Sequence, residues 1–168
     1  ALPPGGRAGP PEARVMSGRG IRAAGAKDRA EILALLEQAA LPTGDLREDG
    51  VVRFWIAERG GRIVGAIGLE RHGDTGLLRS LVVAPSVRSH GTGGALVARL
   101  EDEARSLGIT RLLLLTETAR SFFERRGYAA IERDSAPAAV RASAEFSALC
   151  PASATCMSKP LGVAKRPA

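Results

Sequence analysis

The segment that most constrains this chain is Leu81-Val82-Val83-x-Pro85-x-x-Arg88-x-x-Gly91-x-Gly93-Gly94. In it an apolar run ends in a glycine turn and passes straight into an amphipathic stretch. Leu77 to Val83 is apolar apart from Arg79 and Ser80, the pattern of a strand covered on both faces, and Pro85 stops it. After the turn, Leu96, Leu100, Ala104 and Leu107 recur at helical spacing, with Gly108 as the end signal. Glycines between a buried strand and a helix start let the backbone approach a ligand closely. The unpaired N–H groups and dipole of that helix end favour an anion, above all a pyrophosphate. Arg88 adds a forked donor for phosphate oxygen. The turn lacks the Gly-Lys-Ser/Thr end of a Walker loop and does not read Gly-x-Gly-x-x-Gly. A tight strand-to-helix connection with no ligand is the competing reading.

The flanking sequence predicts the elements around this unit. Gly20 to Ala23 reads as a short strand, and a helix from about Asp28 buries Ile32, Leu35, Leu36 and Ala39 before Pro42. Residues 41–46 form a loop, and a short helix is predicted at about 46–52. Phe54 to Glu58 and Arg62 to Leu69 form a hairpin around Gly60-Gly61, and His72-Gly73-Asp74 is a further turn. Leu112 to Leu115 is a fully apolar strand, residues 119–126 a short helix, and Tyr128 to Glu132 a strand. Residues 138–148 are predicted helical, and Ala154 to Met157 is the last strand. This order implies a mixed α/β domain with an antiparallel front and parallel pairing around the glycine-turn helix.

With 168 residues the chain fits one domain with a real core, and no apolar run approaches the length of a membrane span. The formal charge of +6 would suit a nucleic-acid binder, but its placement does not. Residues 1–22 and 159–168 each carry a net +3, and residues 23–158 balance 17 basic against 17 acidic groups. Aromatics make up only 4%, too few for a base-stacking platform. The expectation is no nucleic-acid and no membrane partner. Residues 1–19, rich in Pro, Gly and Arg, read as a disordered tail, with Met16 a candidate native start. Residues 20–160 read as the domain and 161–168 as a basic tail. Cys150 and Cys156 are too few for a disulfide framework, and reduced thiols in a cytoplasmic protein are expected.

The segment Leu81-Val82-Val83-x-Pro85-x-x-Arg88-x-x-Gly91-x-Gly93 resembles the acetyl-CoA motif of the GCN5-related N-acetyltransferases (GNAT). The segment Ser121-Phe122-Phe123-Glu124-Arg125-Arg126-Gly127-Tyr128 resembles their second motif. The likeness covers about residues 20–160. The fold it implies is a GNAT fold: a central mixed, twisted sheet of about six to seven strands flanked by helices, with a splayed acetyl-CoA cleft. Gly76 to Val83, Leu41-Pro42-Thr43-x-Asp45-Leu46, and Glu145-Phe146-x-x-Leu149-Cys150-Pro151-x-Ser153-x-x-Cys156-Met157 look like the second type of bacterial arsenic-resistance N-acetyltransferase. The implied activity is acetyl transfer from acetyl-CoA to the primary amine of a small molecule, an amino acid or an arsenic-containing analogue, without a metal. A non-catalytic acyl-CoA-binding module of the same fold is the alternative. A homodimer is carried as the assembly expectation.

By that resemblance, backbone groups of Leu81, Val82 and Val83 pair with the acetyl carbonyl and pantetheine arm. Those of Arg88, Ser89, His90, Gly91, Thr92, Gly93 and Gly94 cradle the pyrophosphate. The usual tyrosine acid is replaced by Phe123, and Tyr128 stands where relatives carry a core aromatic. Arg79 and Ser80 occupy the strand positions where relatives often have Glu and Asp. Glu70 is the nearest candidate base, against a solvated strand-end carboxylate. Thr116 could orient a water or the thiol, against a hydroxyl satisfying backbone. His72 reads as an exposed loop histidine. Arg79 in an apolar strand needs either a carboxylate such as Glu70 or Glu145, or a place in the cleft facing an anionic substrate group; the cleft is the expectation. Thr43, Asp45, Ser80, Glu145 and Phe54 complete the substrate-site candidates. Cys150 and Cys156 read as reduced thiols rather than an arsenic-thiolate site.

Overall fold

A computed structural model describes residues 20–46 and 51–162. Seven strands form one sheet in the order β1-β2-β3-β4-β5-β7-β6. They are β1 (Ile21–Ala23), β2 (Val52–Arg59), β3 (Arg62–His72), β4 (Thr75–Val83), β5 (Arg111–Thr116), β6 (Ala129–Ala130) and β7 (Thr155–Pro160). The helices are α1 (Arg29–Gln38), α2 (Thr92–Ser106), α3 (Arg120–Glu124) and α4 (Ala138–Arg141). β1 to β4 pair antiparallel in sequence order, β4 pairs β5 in parallel, and β7 lies antiparallel between β5 and β6. The parallel step requires the crossover that α2 supplies. The glycine turn therefore sits at the centre of the sheet. Among the described residues, no helix is long and apolar enough to cross a membrane.

Side-chain alternation along β4 and β5 defines two faces. Leu78, Leu112 and Leu114 face α2, whose Leu96, Leu100 and Ala104 are fully buried against them. Each such leucine contributes about 1.5–3 kcal/mol by leaving water. On the opposite face, Ile32, Leu35 and Leu36 of α1 pack on Ile56, Ile63, Ala66 and Val82. On that same face Leu77 and Leu113 meet Val140, Phe146 and Cys156 of the C-terminal segment.

Several elements differ from the sequence expectation. Helix α1 ends at Gln38, because Ala40 turns the chain at φ +57, before Pro42 can act. Residues 47–50 of the expected 46–52 helix lie outside the described residues, and Val52 already opens β2. The strand expected at 128–132 has two ladder residues, since a 3₁₀ turn at Arg133–Ser135 carries the chain away. The helix expected at 138–148 splits into α4 and a single wide π-type turn, Glu145–Leu149. The Ser143 hydroxyl donates to the Val140 carbonyl at 2.6 Å, a local bond that competes with helix continuation. Leu161, assigned to the tail, is buried, and its N–H donates to the Thr110 carbonyl. Two charges counted with the ends also belong to the fold. Arg22 pairs Asp28 and Glu58, and Lys159 in β7 pairs the buried Glu101 with two bonds of 2.8 Å.

Candidate active site

β4 and β5 are hydrogen-bonded only over Thr75–Leu77 and Arg111–Leu113. Beyond these pairs both strands continue, β4 to Val83 and β5 to Thr116, without pairing to each other. The sheet is thus split at its centre, and the edge of β4 from Leu78 onward is not paired to β5. On its other side β4 is bulged. Ala66 pairs Val82 and Gly68 pairs Arg79, so two residues of β4 stand opposite Ile67 alone. Ser80 in this bulge has φ +56. A non-glycine residue in that region is uncommon and re-aims the backbone locally.

The glycine turn closes one end of the split. After a 3₁₀ turn at Pro85–Val87, Ser89 (φ +72) and Gly91 (φ +79) reverse the chain into α2. Thr92 opens a 15-residue helix, and the N–H groups of Gly93 and Gly94 in its first turn have no acceptor four residues back within it. Arg88, Ser89 and His90 are exposed around them, and Arg88 Nε donates to the Val83 carbonyl at 3.2 Å. A Cβ on Gly91 would meet nothing, so glycine is needed there for its backbone angle rather than for space. A Cβ on Gly94 would stand 2.7 Å from Arg126 Nη2. Arg126 lies over the Phe122 ring (3.6 Å to its centroid) and donates to the Phe122 carbonyl at 2.8 Å. Sequence reasoning missed Arg126 as a neighbour of the turn. The signal was present in Arg125-Arg126-Gly127, a charge held just before a chain reversal.

Across β4, on the face away from α2, four ionisable side chains converge. Arg79 is buried and its side chain has no exposure. Both its Nη atoms donate to the Asp45 carboxylate, Nη2 at 2.8 Å, while Nη1 also donates to Glu70 at 3.2 Å and Nε to the Ser80 hydroxyl at 3.2 Å. Of the two outcomes open to Arg79, neutralisation by carboxylates is the one observed, and the guanidinium is not open to the cleft. An isolated charge at this depth would be too costly. Burial works against the Arg79 charge, but the Asp45 hydrogen bonds and the fields of Glu145, Asp45 and Glu70 outweigh it and raise its pKa. Gly68 leaves room for the Arg79 stem, since a Cβ there would stand 3.4 Å from Arg79 Cγ and 2.9 Å from Val52.

Glu70 is likewise buried rather than solvated, and its Oε2 lies 3.1 Å from His72 Nε2. His72 ends β3 and is partly covered, not an exposed loop histidine. Glu145 is 6% exposed on the wide turn. Burial pushes its carboxyl up to about 7, against the pull of Arg79, with Glu70 and Asp45 pushing the same way. Burial, and the Glu145 carboxylate beside it, raise the Cys150 thiol to about 11. Leu46 N–H donates to the Thr43 carbonyl, closing the turn that carries Asp45. A cavity of about 480 Å³ meets this cluster at Asp45 and is lined also by Ile32, Leu46, Val52 and Phe54. Sequence reasoning named Glu70 and Glu145 as possible partners of Arg79 and Asp45 as a separate candidate, but it did not bring His72 or Cys150 to the cluster.

No phenol occupies the split among the described residues. Phe123 is core, edge-on to Phe122 and Tyr128. Tyr128 is 3% exposed, and burial raises its hydroxyl beyond the ordinary range. Thr116 Oγ1 accepts from the Ala119 N–H at 3.0 Å, the backbone-satisfying alternative named for it. Cys156 is buried in the sheet beside Leu77 and Leu113.

Residues 25–128, more than half the chain, match the family model described as "Acetyltransferase (GNAT) family". An amino-acid acetyltransferase of Mycobacterium tuberculosis is 39% identical over 50% of this chain and 50% of its own length. An IAA acetyltransferase of Azospirillum brasilense is 36% identical over 46% of this chain and 55% of its own. The chain thus spans about half the length of these curated relatives, and 29% of the amino-acid acetyltransferase of Pseudomonas aeruginosa. Among solved structures, Rv2747 from Mycobacterium tuberculosis in complex with CoA superposes with a TM-score of 0.71 at 30% identity, covering 84% of this chain and 98% of that one. The N-acetylglutamate synthase from Neisseria gonorrhoeae complexed with coenzyme A and N-acetyl-glutamate gives 0.73 at 27% identity, covering 84% and 35%.

Proposed function

The chain belongs to the acetyltransferase (GNAT) family, and we propose that it transfers the acetyl group of acetyl-CoA to the primary amine of a small amino-acid-type acceptor. The observation that carries this reading is the split between β4 and β5, with a backbone anion site at one end and a buried carboxylate cluster on the opposite face. The donor set fits the cofactor. Backbone N–H groups of Gly93 and Gly94 at the start of α2, with exposed Arg88 beside them, suit a pyrophosphate. The β5-facing edge of β4 at Leu81, Val82 and Val83, which β5 does not pair, suits the amides of the pantetheine arm and a donor to the acetyl oxygen. With both substrates held, the amine attacks the thioester directly, and proximity supplies much of the rate.

The acceptor class is supported by the relatives named amino-acid acetyltransferase. An arsenic-containing amino acid belongs to the same class and is the narrower form of the reading. Such an acceptor would be recognised as an amine, since burial raises both thiol pKa values and neither Cys150 nor Cys156 offers a thiolate near neutrality. The reading takes the protein as a cytoplasmic homodimer. One observation favours a second reading, an acyl-CoA-binding module without turnover: the tyrosine acid is replaced by buried Phe123. A thiolate is a tolerable leaving group, so this replacement slows transfer without forbidding it.

The test incubates the protein with acetyl-CoA and a panel of the twenty amino acids, an arsenic-containing amino acid, a polyamine and a short peptide. Thiol release and product mass are followed, and sedimentation reports the assembly. Acetylation of one or more free amino acids is expected. Tight CoA binding with no turnover on any amine would establish the second reading instead.

A further inference from the structure

The cluster beneath β4 holds more negative charge than it can pair internally. Asp45, Glu70 and Glu145 face one guanidinium, that of Arg79. Asp45 is held by both Nη atoms of Arg79, and Glu70 is divided between Arg79 Nη1 and His72 Nε2. All four oxygens of these two carboxylates are therefore engaged. Glu145 is different: its Oε2 is buried and meets no hydrogen-bond partner among the described residues. Leaving a carboxylate oxygen buried and bare is costly, and native proteins seldom do it without a ligand or water at that place.

Its position is as informative as its charge. Arg79 lies two residues past Leu77, the last β4 residue paired with β5, so the cluster borders the split where the strands part. The loop carrying Asp45 reaches the turn carrying Glu145, since a Cβ on Gly44 would lie 3.9 Å from Leu149. The wide turn itself is the kind of helical irregularity that turns a side chain out of an ordinary helical face.

We infer that Glu145 binds the acceptor's ammonium group and removes its proton. The assignment rests on the acetyltransferase reading and names the base for it. An ammonium N–H bond breaks as the proton passes to Glu145. The freed amine forms a C–N bond with the acetyl carbon, and the C–S bond breaks. The nitrogen's surplus proton passes to the departing thiolate to give CoA thiol, and Glu145 returns its proton to water. Glu70 and Asp45 are poor candidates because their oxygens are already engaged by Arg79 and His72. Arg79 acts as a positioning residue that holds those two carboxylates in place. The groups facing Glu145 are Arg79 from β4, Glu70 from β3 (with His72 behind it), Asp45 from the 41–46 loop and Cys150 at the end of its own turn, beyond which lies Arg133. Burial first, opposed by Arg79 and reinforced by Glu70 and Asp45, brings its carboxyl to about 7, near the working pH, where a general base is most effective.

The test compares wild type, Glu145→Gln and Glu145→Asp with acetyl-CoA and the twenty amino acids as acceptors, over pH 5.5–9.5 (a range of about four units around the optimum for such a base). Calorimetry measures CoA affinity in parallel. Glu145→Gln is expected to bind CoA within about twofold of wild type and to lose about 10²–10⁴ in kcat/KM near neutrality. The acid limb of the wild-type profile, centred near 7, is expected to vanish, leaving a rate that climbs with the amine's own ionisation. Glu145→Asp is expected to keep a weakened limb. Wild-type rates with an unchanged limb in Glu145→Gln would overturn the assignment while leaving the acetyltransferase reading standing. A wild type inactive on every amino acid would overturn that reading and the assignment with it.

Discussion

On the α2 side of β4, the groups poised for an anion are backbone N–H groups of a helix start, with Arg88 exposed beside them. On the opposite side, three carboxylates crowd a guanidinium that has no exposure at all. The first site needs no buried ion, because its dipoles are part of the chain and already point outward. The second takes several ions out of water and stands only because they satisfy one another. A backbone site should tolerate loss of any one side chain near it. A side-chain site should fail in folding as well as in activity when its central member goes. Arg79→Met is therefore expected to have the largest effect. It leaves buried Glu70 and Glu145 and half-buried Asp45 without their cation and costs about 3–5 kcal/mol of stability, read by denaturant unfolding. Adding Asp45→Asn to it should restore part of that loss. If Arg79→Met is no less stable than wild type, the two faces do not differ as described.

The next effect separates stability from catalysis at Glu145. Its carboxyl is raised from 4.5 to about 7 in the folded protein, chiefly by burial. Between those two values the folded state holds a proton that the unfolded state has released. Stability from this group is thus complete below about pH 4.5 and is lost as pH rises through about 7. The loss is at most about 3 kcal/mol, taking about 1.4 kcal/mol per pH unit. Glu145→Gln carries no such dependence, so it should equal wild type in acid and exceed it in stability at pH 8. Parallel stability curves for the two proteins across this window would place the Glu145 proton elsewhere. No matching dependence is expected from the backbone N–H groups at the start of α2, which do not titrate.

A smaller effect belongs to Gly91. Its φ of +79 suits glycine, and a β-branched residue there is strained even though a Cβ would meet nothing. Gly91→Val should re-aim the first N–H groups of α2 and weaken CoA binding about tenfold, or about 1.4 kcal/mol. Acceptor KM at saturating acetyl-CoA should stay near that of wild type. An equal rise in both constants would mean that the two sides of the split are coupled through β4.

The same contrast governs how much of this molecule was legible in its sequence. The glycine turn, the buried strand before it and the helix after it follow one another within residues 77–107, so periodicity and turn chemistry expose them together. The anion site is a property of that local order. The charge cluster is assembled from residues 45, 70, 79 and 145, and only the register of β3 on β4 and the fold of the C-terminal segment bring them together. Sequence could say that Arg79 needs a partner, and it named Glu70 and Glu145 as candidates. It could not say that Asp45 is the principal one, because a loop's landing place is set by tertiary packing. The split of the predicted 138–148 helix was hidden for a related reason. Its composition suits a helix throughout, and what breaks it is a local hydroxyl bond and the burial of Glu145 and Phe146.

The smallest expected effect concerns the one tyrosine of the chain. Tyr128 packs edge-on to Phe123 at 5.3 Å, with Lys159 Nζ 5.5 Å from its ring, and its hydroxyl is buried without a partner among the described residues. An unpaired buried hydroxyl stabilises nothing, and replacing it by hydrogen removes a desolvation cost while keeping the ring contacts. Tyr128→Phe should therefore be neutral or more stable by up to about 1 kcal/mol. It should also leave kcat/KM and its pH profile unchanged, because the hydroxyl lies in the α2-side core and not at the split. A hundredfold loss of kcat with CoA affinity retained would mean that this phenol reaches the departing thiolate. The proton economy of the reaction would then involve both faces of β4 rather than the carboxylate face alone.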